Sequence, residues 1–280
     1  MASSTFSFFL VISLVMLNTA FSTRKSQTMQ KQQEEEEASK FGYIGGTGPD
    51  KWGSLSPNFS LCSRGKAQSP IDIVTHNAFL DKNLKPLTRV YHASNATLVD
   101  NGFNVGIRFD ANVGGFSIDG KIYTLLQMHW HSPSEHRLNG RLMDAELHIV
   151  HKAEDGSIAV VAVLYKDGDA DPLLAKIQNK LAELTYDRYA KREAGPEIVL
   201  GTFNTKQMRR KSHKYYRYIG SFTTPPCTEN VIWNILGKVR SISKQQVDAL
   251  RGPLDIACKR NARPVQPLNG RVIELYDEDQ

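Results

Sequence analysis

Gln127-Met128-His129-Trp130-His131-Ser132-Pro133-Ser134-Glu135-His136, followed shortly by Glu146-Leu147-His148-Ile149-Val150-His151, decides how the rest of this chain is read. Alternate side chains of an extended strand share a face, so Gln127, His129 and His131 point the same way. The same alternation over Ala145–His151 puts Glu146, His148 and Val150 on one face. Laid side by side, two such strands converge three imidazoles on one point. Three nitrogen donors with a fourth position open is the arrangement of a catalytic zinc, whereas structural zinc usually takes four protein ligands, often cysteines. A lone His-x-His more often marks histidines satisfied inside a core. A third histidine on a second apolar strand, with Glu135 four residues after His131 and Glu146 two before His148, shifts the reading to metal binding.

Outward from this stretch, short alternating segments dominate: Thr97–Val99, Asn104–Phe109, Gly115–Ile118, Ile122–Gln127, Ala145–Val150, Ile158–Tyr165, Tyr216–Ile219 and Val231–Leu236. Asn101-Gly102, Asp119-Gly120, Asn139-Gly140 and Asp155-Gly156 supply turn signals between many of them. Successive strands joined by short turns favour antiparallel pairing. Helices are few. Pro172, followed by Leu173, Leu174, Ile177, Leu181 and Leu184, predicts one amphipathic helix. Ser243-x-x-Gln246 predicts a capping box opening a second, ended by Gly252-Pro253. The expected fold is mainly β (α+β): a large twisted, mostly antiparallel sheet with a few peripheral helices. No repeat, linker or composition break divides the chain from Phe41 onward, so residues 41–280 are expected to form one domain.

Residues 1–22 carry no charged side chain and hold the apolar run Phe8–Leu17, followed by Ala20-Phe21-Ser22. This fits a signal peptide cleaved near Ser22, with an apolar run too short to span a bilayer. Residues 23–40, with Glu34-Glu35-Glu36-Glu37, read as a charged, disordered or weakly helical extension outside the fold. The expected location is extracellular or the secretory-pathway lumen, a secretory route to the chloroplast included, with no membrane attachment after cleavage. The 280 residues hold 35 Lys and Arg against 29 Asp and Glu, a net charge of +6. The basic clusters Arg209-Arg210-Lys211 and Lys259-Arg260 lack interleaved aromatics, so they read as solvated faces and not as a nucleic-acid surface. In an oxidising compartment two of Cys62, Cys227 and Cys258 would pair, and the residues alone permit three pairings. Asn58-Phe59-Ser60 and Asn95-Ala96-Thr97 are glycan acceptors in a secreted chain.

A histidine ligand needs a fixed tautomer, which its other ring nitrogen obtains from a neighbouring acceptor. Glu146 is placed to serve His148, and the Gln127 amide to serve His129. Val150 and Val160 supply apolar wall. Downstream lies Gly220-Ser221-Phe222-Thr223-Thr224-Pro225-Pro226-Cys227, whose prolines fix the backbone after two hydroxyls. A threonine hydroxyl can donate to a carboxylate such as Glu135 while accepting from an activated water.

With these residues in view, the chain resembles the α-class carbonic anhydrases, especially the secreted plant type. The resemblance runs from about Phe41 to Leu275. It is most specific over Gln68-Ser69-Pro70-Ile71-Asp72-Ile73, His129–His151, and Tyr216-Arg217-Tyr218-Ile219-Gly220-Ser221 leading into Thr223-Thr224-Pro225-Pro226. It implies Zn2+ on His129, His131 and His148, with Glu135 and Thr223 orienting the zinc-activated water. Thr224 would line the substrate pocket, and Val150, Val160, Phe222, Val231 and Trp233 would form its apolar wall for carbon dioxide. Gln127 and Glu146 would support the ligands, and Tyr43 would join the proton-path water network. Cys62 and Cys227 match the disulfide of secreted members, which leaves Cys258 unpaired. His136 and His151 fall outside the ligand set as structural hydrogen-bonding residues. The implied activity is reversible hydration of carbon dioxide to bicarbonate and a proton, with zinc lowering the pKa of its water to about 7, carbonic anhydrase being the standard instance of that magnitude.

Three positions depart from the family pattern. Phe103, in Asn101-Gly102-Phe103, stands where the family usually carries a proton-shuttle histidine, and it cannot bind or release a proton. Phe222 replaces a usual leucine and crowds the pocket. Gly106 stands where many members carry a polar residue. The expected enzyme is therefore limited by proton transfer. The competing expectation is a secreted storage, defence or binding protein that keeps the fold with little or no activity. The sequence is silent on oligomeric state.

Overall fold

The structure, a computed structural model, describes residues 41–192, 195–205, 208 and 212–280. The expected signal peptide, the charged extension and the Arg209-Arg210-Lys211 cluster lie outside the described residues. Every strand expected above is present, most of them longer than the sequence pattern suggests. Along the sheet the order runs Glu197–Phe203, Ser94–Asp100, Val105–Phe109, Lys121–His131, Ala145–Lys152, Ile158–Asp167, Glu229–Leu236, Lys214–Ser221, Glu274–Asp277 and Phe79–Leu80. With three short strands off this path the sheet has thirteen strands among the described residues.

Pairing is mostly antiparallel, and one central join is parallel: Ile158–Asp167 runs alongside Glu229–Leu236. Strands at this centre are covered on both faces, which explains their near-continuous apolar sequence, such as Ala159-Val160-Val161-Ala162-Val163-Leu164. All six of these residues are buried. A core of Ile71, Ile73, Val150, Val160, Tyr218, Val231, Trp233 and Ile235, among others, lies on one side of the central strands.

The single helix expected from Pro172 to Leu184 is two, Pro172–Ala175 and Gln178–Tyr189. Between them the amides of Lys176 and Ile177 reach back three residues, to the carbonyls of Leu173 and Leu174, which tightens the turn and breaks the α pattern. Leu173, Leu174, Ile177, Leu181 and Leu184 are nonetheless all buried, so the apolar stripe survives the break. Asp171 caps the first piece by accepting the amides of Leu173 and Leu174. The second expected helix is Lys244–Arg251, opened by the Ser243–Gln246 capping box. Glu197–Phe203 escaped the pattern reading because its pairing with Ser94–Asp100 shifts register between Val199 and Gly201, which interrupts the alternation.

Cys62 and Cys227 form a disulfide across 165 residues of chain. Cys258 is buried and free, and burial pushes its thiol up to about 11.

Candidate metal centre

The antiparallel pairing of Lys121–His131 with Ala145–Lys152 sets His148 directly opposite His129, and Glu146 opposite His131. One face of two adjacent strands therefore carries all three imidazoles. Their ring centroids lie 5.1 Å (His129–His131), 5.2 Å (His129–His148) and 4.6 Å (His131–His148) apart. One nitrogen of each ring lies within 4.8 Å of the others'.

The hydrogen bonds made by the outer nitrogens choose which nitrogen of each ring faces inward. His129 Nδ1 donates to Gln127 Oε1 at 2.9 Å, leaving Nε2. His131 Nδ1 donates to the Asn261 carbonyl at 2.6 Å, also leaving Nε2. His148 is turned the other way: Nε2 donates to Glu146 Oε1 at 2.8 Å and leaves Nδ1. Burial holds all three rings below their ordinary pKa, His129 far below and His131 down to about 4. Neutral rings with free lone pairs are the form that binds a metal.

Glu146 is saturated. Its Oε1 also accepts from His136 Nδ1 at 2.6 Å, and its Oε2 accepts the amides of Glu135 and His136, each at 2.8 Å. Burial alone would raise its pKa, but the His136 and His148 partners outweigh that and hold the carboxyl well below its usual range. The neighbouring cluster His136, Glu146 and His148 is thus a hydrogen-bond network whose only spare lone pair, on His148 Nδ1, faces His129 and His131 and not its own members. From His136 the network continues outward. Its Nε2 accepts from the Tyr218 hydroxyl at 2.7 Å, and Ser69 Oγ lies 2.7 Å from that hydroxyl. Ser69 and Ser221 then exchange two bonds at 2.9 and 3.0 Å. The early Gln68-Ser69-Pro70 motif and the late Gly220-Ser221 motif are in this way tied to the metal-facing strands.

Glu135 sits in the loop after His131. Its Oε1 accepts the Arg263 amide at 2.9 Å. Its Oε2 lies 3.5 Å from His131 Nε2 and 3.9 Å from His148 Nδ1, and neither Oε2 nor His131 Nε2 has a hydrogen-bond partner. Burial pushes the carboxyl up to about 7, and the facing Thr223 hydroxyl pulls against that shift. An orphan carboxylate oxygen beside three converging lone pairs, one of them the orphan His131 Nε2, fits a metal ion, and the all-nitrogen donor set with no cysteine fits zinc in an open, catalytic arrangement.

Thr223 and Thr224 lie in a turn closed by Phe222 N to Thr228 O and Cys227 N to Thr224 O, both 2.9 Å. Thr223 is buried, while Thr224 and Phe222 are partly exposed. Val150, Val160, Val231 and Trp233 all belong to the core cluster, and Phe222 packs against it. The Trp233 ring stands 4.8 Å from the His148 ring, so this apolar wall adjoins the metal-facing histidines. Gly106 pairs with His129 from the strand on the other side. A recess of about 170 Å³, lined by Asn101, Gly106, Leu126 and Gln127 among others, opens there. Burial raises the Tyr43 pKa well above its ordinary value, and the nearby Glu135 carboxyl adds to the shift. His151 lies apart from the ligand face, its Nε2 bonded to the Tyr91 hydroxyl at 2.8 Å. Asn58 and Asn95 are exposed.

Two supports were not predicted. Asn261 accepts from His131 through its backbone carbonyl, while its side chain accepts the Ser132 amide and donates to the carbonyls of Phe103 and Trp130. Arg263 holds Glu135 through its backbone amide, and its guanidinium donates to Gln68, Ser69 and Cys62. The decisive atoms are backbone atoms, so no side-chain motif announces them.

A large mixed sheet presenting three converging imidazoles, two of them fully buried and His129 partly so, beside an acid and a threonine defines a candidate metal centre of the carbonic anhydrase kind. The model of the family "Eukaryotic-type carbonic anhydrase" matches residues 47–277, and the chain belongs to that family. It is 37% identical over 265 residues to "Alpha carbonic anhydrase 7" of Arabidopsis thaliana, covering 95% of this chain and 94% of that relative. Among solved structures it superposes on dioscorin complexed with ascorbate with a TM-score of 0.80 and 36% identity, covering 85% of this chain and 98% of that one. The α-carbonic anhydrase of Thermovibrio ammonificans, complexed with the inhibitor sulfanilamide, gives a TM-score of 0.73 at 36% identity, covering 84% and 98%.

Proposed function

We propose that the chain is a zinc-dependent carbonic anhydrase that hydrates carbon dioxide reversibly, with turnover limited by proton export. The observation that carries this reading is the set of three neutral imidazoles, each oriented by its own acceptor so that Nε2 of His129, Nε2 of His131 and Nδ1 of His148 face one point. Bound there, zinc supplies a water acidic enough to attack carbon dioxide at neutral pH. The chain's residues supply the rest. With a cation bound beside it Glu135 would be ionised and would accept a hydrogen bond from the Thr223 hydroxyl, leaving a Thr223 lone pair to accept a hydrogen bond from a water held at the site and so orient it. Val150, Val160, Val231, Trp233 and Phe222 offer carbon dioxide an apolar surface, and Thr224 stands at its edge. Gln127, Asn261 and Glu146 hold the three rings in place. Tyr43 contributes a buried hydroxyl to the path by which the proton leaves, and Phe103 interrupts that path where a titratable group is expected.

A binding role with little turnover is the second reading, favoured by Phe103 and by likeness to a protein solved with ascorbate. The disulfide and the exposed Asn58 and Asn95 support passage through an oxidising, glycosylating compartment, and the substrate is carbon dioxide or bicarbonate. Stopped-flow hydration by the zinc-loaded chain and by Thr223→Ala separates the two readings. The enzyme reading predicts hydration above buffer background that drops at least about tenfold in the variant. Full zinc occupancy with background hydration would leave only the binding role.

A further inference from the structure

Residues 261–268 form neither helix nor strand, so no backbone ladder places the Arg263 amide that Glu135 accepts from. What fixes that amide instead is the side chain of the same residue, which is only 2% exposed. Its Nη1 donates to Gln68 Oε1 at 2.9 Å and to the Ser69 carbonyl at 2.8 Å, and its Nη2 donates to the Cys62 carbonyl at 2.8 Å. Its Cζ lies 5.6 Å from the centroid of the Trp52 ring. We propose that Arg263 is a positioning residue for the hydration reaction: its guanidinium, clamped on Cys62, Gln68 and Ser69, sets where its own amide holds Glu135 and so aligns that acid with Thr223. The proposal rests on the carbon dioxide hydration reading above and adds a residue to it.

All three acceptors are fastened to the strand and turn that carry Thr223. Cys62 is joined to Cys227 by the disulfide. Gln68 Nε2 donates to the Cys227 carbonyl at 3.0 Å, and Ser69 exchanges two bonds with Ser221. The Cys227 amide closes on the Thr224 carbonyl at 2.9 Å, so Thr223 lies between fixed points. Glu135 arrives from elsewhere in the chain, in the loop after His131. Arg263 spans the gap, with its guanidinium on the frame of Thr223 and its amide on the acid. The chemistry of the side chain suits the task. A guanidinium is a rigid planar fork whose donors point in fixed directions, whereas a lysine ammonium on its flexible stem would leave the residue loose. Burial pulls the Arg263 pKa down to about 10, so the fork is still cationic at neutral pH. Its hydrogen bonds go to uncharged acceptors. A buried cation held in that way costs desolvation that an apolar residue would avoid, and what it supplies is direction. The metal-facing rings are held independently: His131 leans on the Asn261 carbonyl, and the Asn261 side chain is anchored on Phe103, Trp130 and Ser132. Loosening Arg263 therefore disturbs the acid and spares the ligands.

Arg263→Met keeps an unbranched buried side chain and removes the donors. Gln68→Met removes one acceptor only, and it takes the place of the first variant, with smaller factors, if that variant does not fold. Amide hydrogen exchange followed by NMR on the metal-free chain is the first readout. The residue 263 amide should exchange at least about tenfold faster in Arg263→Met, while the Ser132 amide, held by Asn261, stays within about twofold of the parent. The second readout is kcat/KM for carbon dioxide in the zinc-loaded chain, which reports attack and not the later proton export. It should fall at least about fivefold, with zinc affinity in a chelator competition within about threefold of the parent. Because the effect passes through Glu135, the same substitution in a Glu135→Ala background should change kcat/KM by less than about twofold. Unchanged exchange at residue 263 overturns the proposal. So does a kcat/KM loss of equal size in the Glu135→Ala background, which would make Arg263 a general support of the fold, or a loss that tracks zinc release. A parent chain that hydrates only at buffer background removes the hydration reading and the catalytic part of this one with it, whereas the exchange result decides separately whether the guanidinium places the amide.

Discussion

Replacing Glu146 by glutamine changes one atom's chemistry and breaks two contacts whichever way the amide turns. The carboxylate accepts four hydrogen bonds: His136 Nδ1 and His148 Nε2 on one oxygen, the amides of Glu135 and His136 on the other. A glutamine presents one oxygen and one NH2, so its NH2 must face two donors. Two charge-assisted bonds vanish, each contributing about 1.5–3 kcal/mol, for a loss of roughly 3–6 kcal/mol. Which observable moves depends on which pair of donors the NH2 faces. The amide bonds of Glu135 and His136 hold the loop that carries the acid, so their loss lowers the stability of the metal-stripped protein in urea unfolding. The His148 bond holds the tautomer that leaves Nδ1 inward, so its loss weakens zinc by about 10–100-fold in a chelator competition. Stability within about 1 kcal/mol of the parent together with unchanged zinc affinity would refute the view that Glu146 organises the site.

Phe103→His should raise hydration about tenfold or more in dilute buffer and little in concentrated buffer, because it restores a proton relay; equal rates in dilute buffer would remove proton export as the limit. Cys227→Ala should lower stability by about 5 kcal/mol on the chain-entropy model, given the 165-residue separation from Cys62. Chemical unfolding under non-reducing conditions measures it, and a loss below about 1 kcal/mol would contradict that account. His151 is held by burial at about 3, against 6.5 when exposed. Its folded pKa is depressed, so the unfolded chain binds the extra proton, and stability falls as pH drops from about 6.5 toward 3, by about 1.4 kcal/mol per pH unit once the unfolded histidine is charged. Unfolding midpoints of His151→Gln between pH 4 and 7 should show a shallower slope than the parent; an identical slope would assign the loss to other groups.

The parts of this molecule that were legible in its sequence are those in which side chains repeat with the strand period. His129, His131 and His148 could be placed on one face because alternation alone sets direction, and the antiparallel pairing of their two strands brings them together. Glu146 was read as serving His148 alone, since its grip on the Glu135 and His136 amides depends on how the loop folds back. Asn261 and Arg263 were invisible as site residues because they act through a carbonyl and an amide that every residue possesses. The Pro172–Leu184 stripe was read as one helix because burial keeps its period across a turn of tighter winding. The parallel join between Ile158–Asp167 and Glu229–Leu236 lay beyond reach, as alternation fixes faces and leaves strand direction open.

The measurement that bears most directly on the central claim is a crystal structure of the zinc-loaded chain with anomalous scattering recorded at the zinc edge. The account predicts one strong site, bound at about 2.0–2.1 Å by Nε2 of His129, Nε2 of His131 and Nδ1 of His148, with a fourth position taken by solvent near Thr223. Zinc held instead by His136, Glu146 and His148, or with its fourth position closed by a protein side chain, would contradict it.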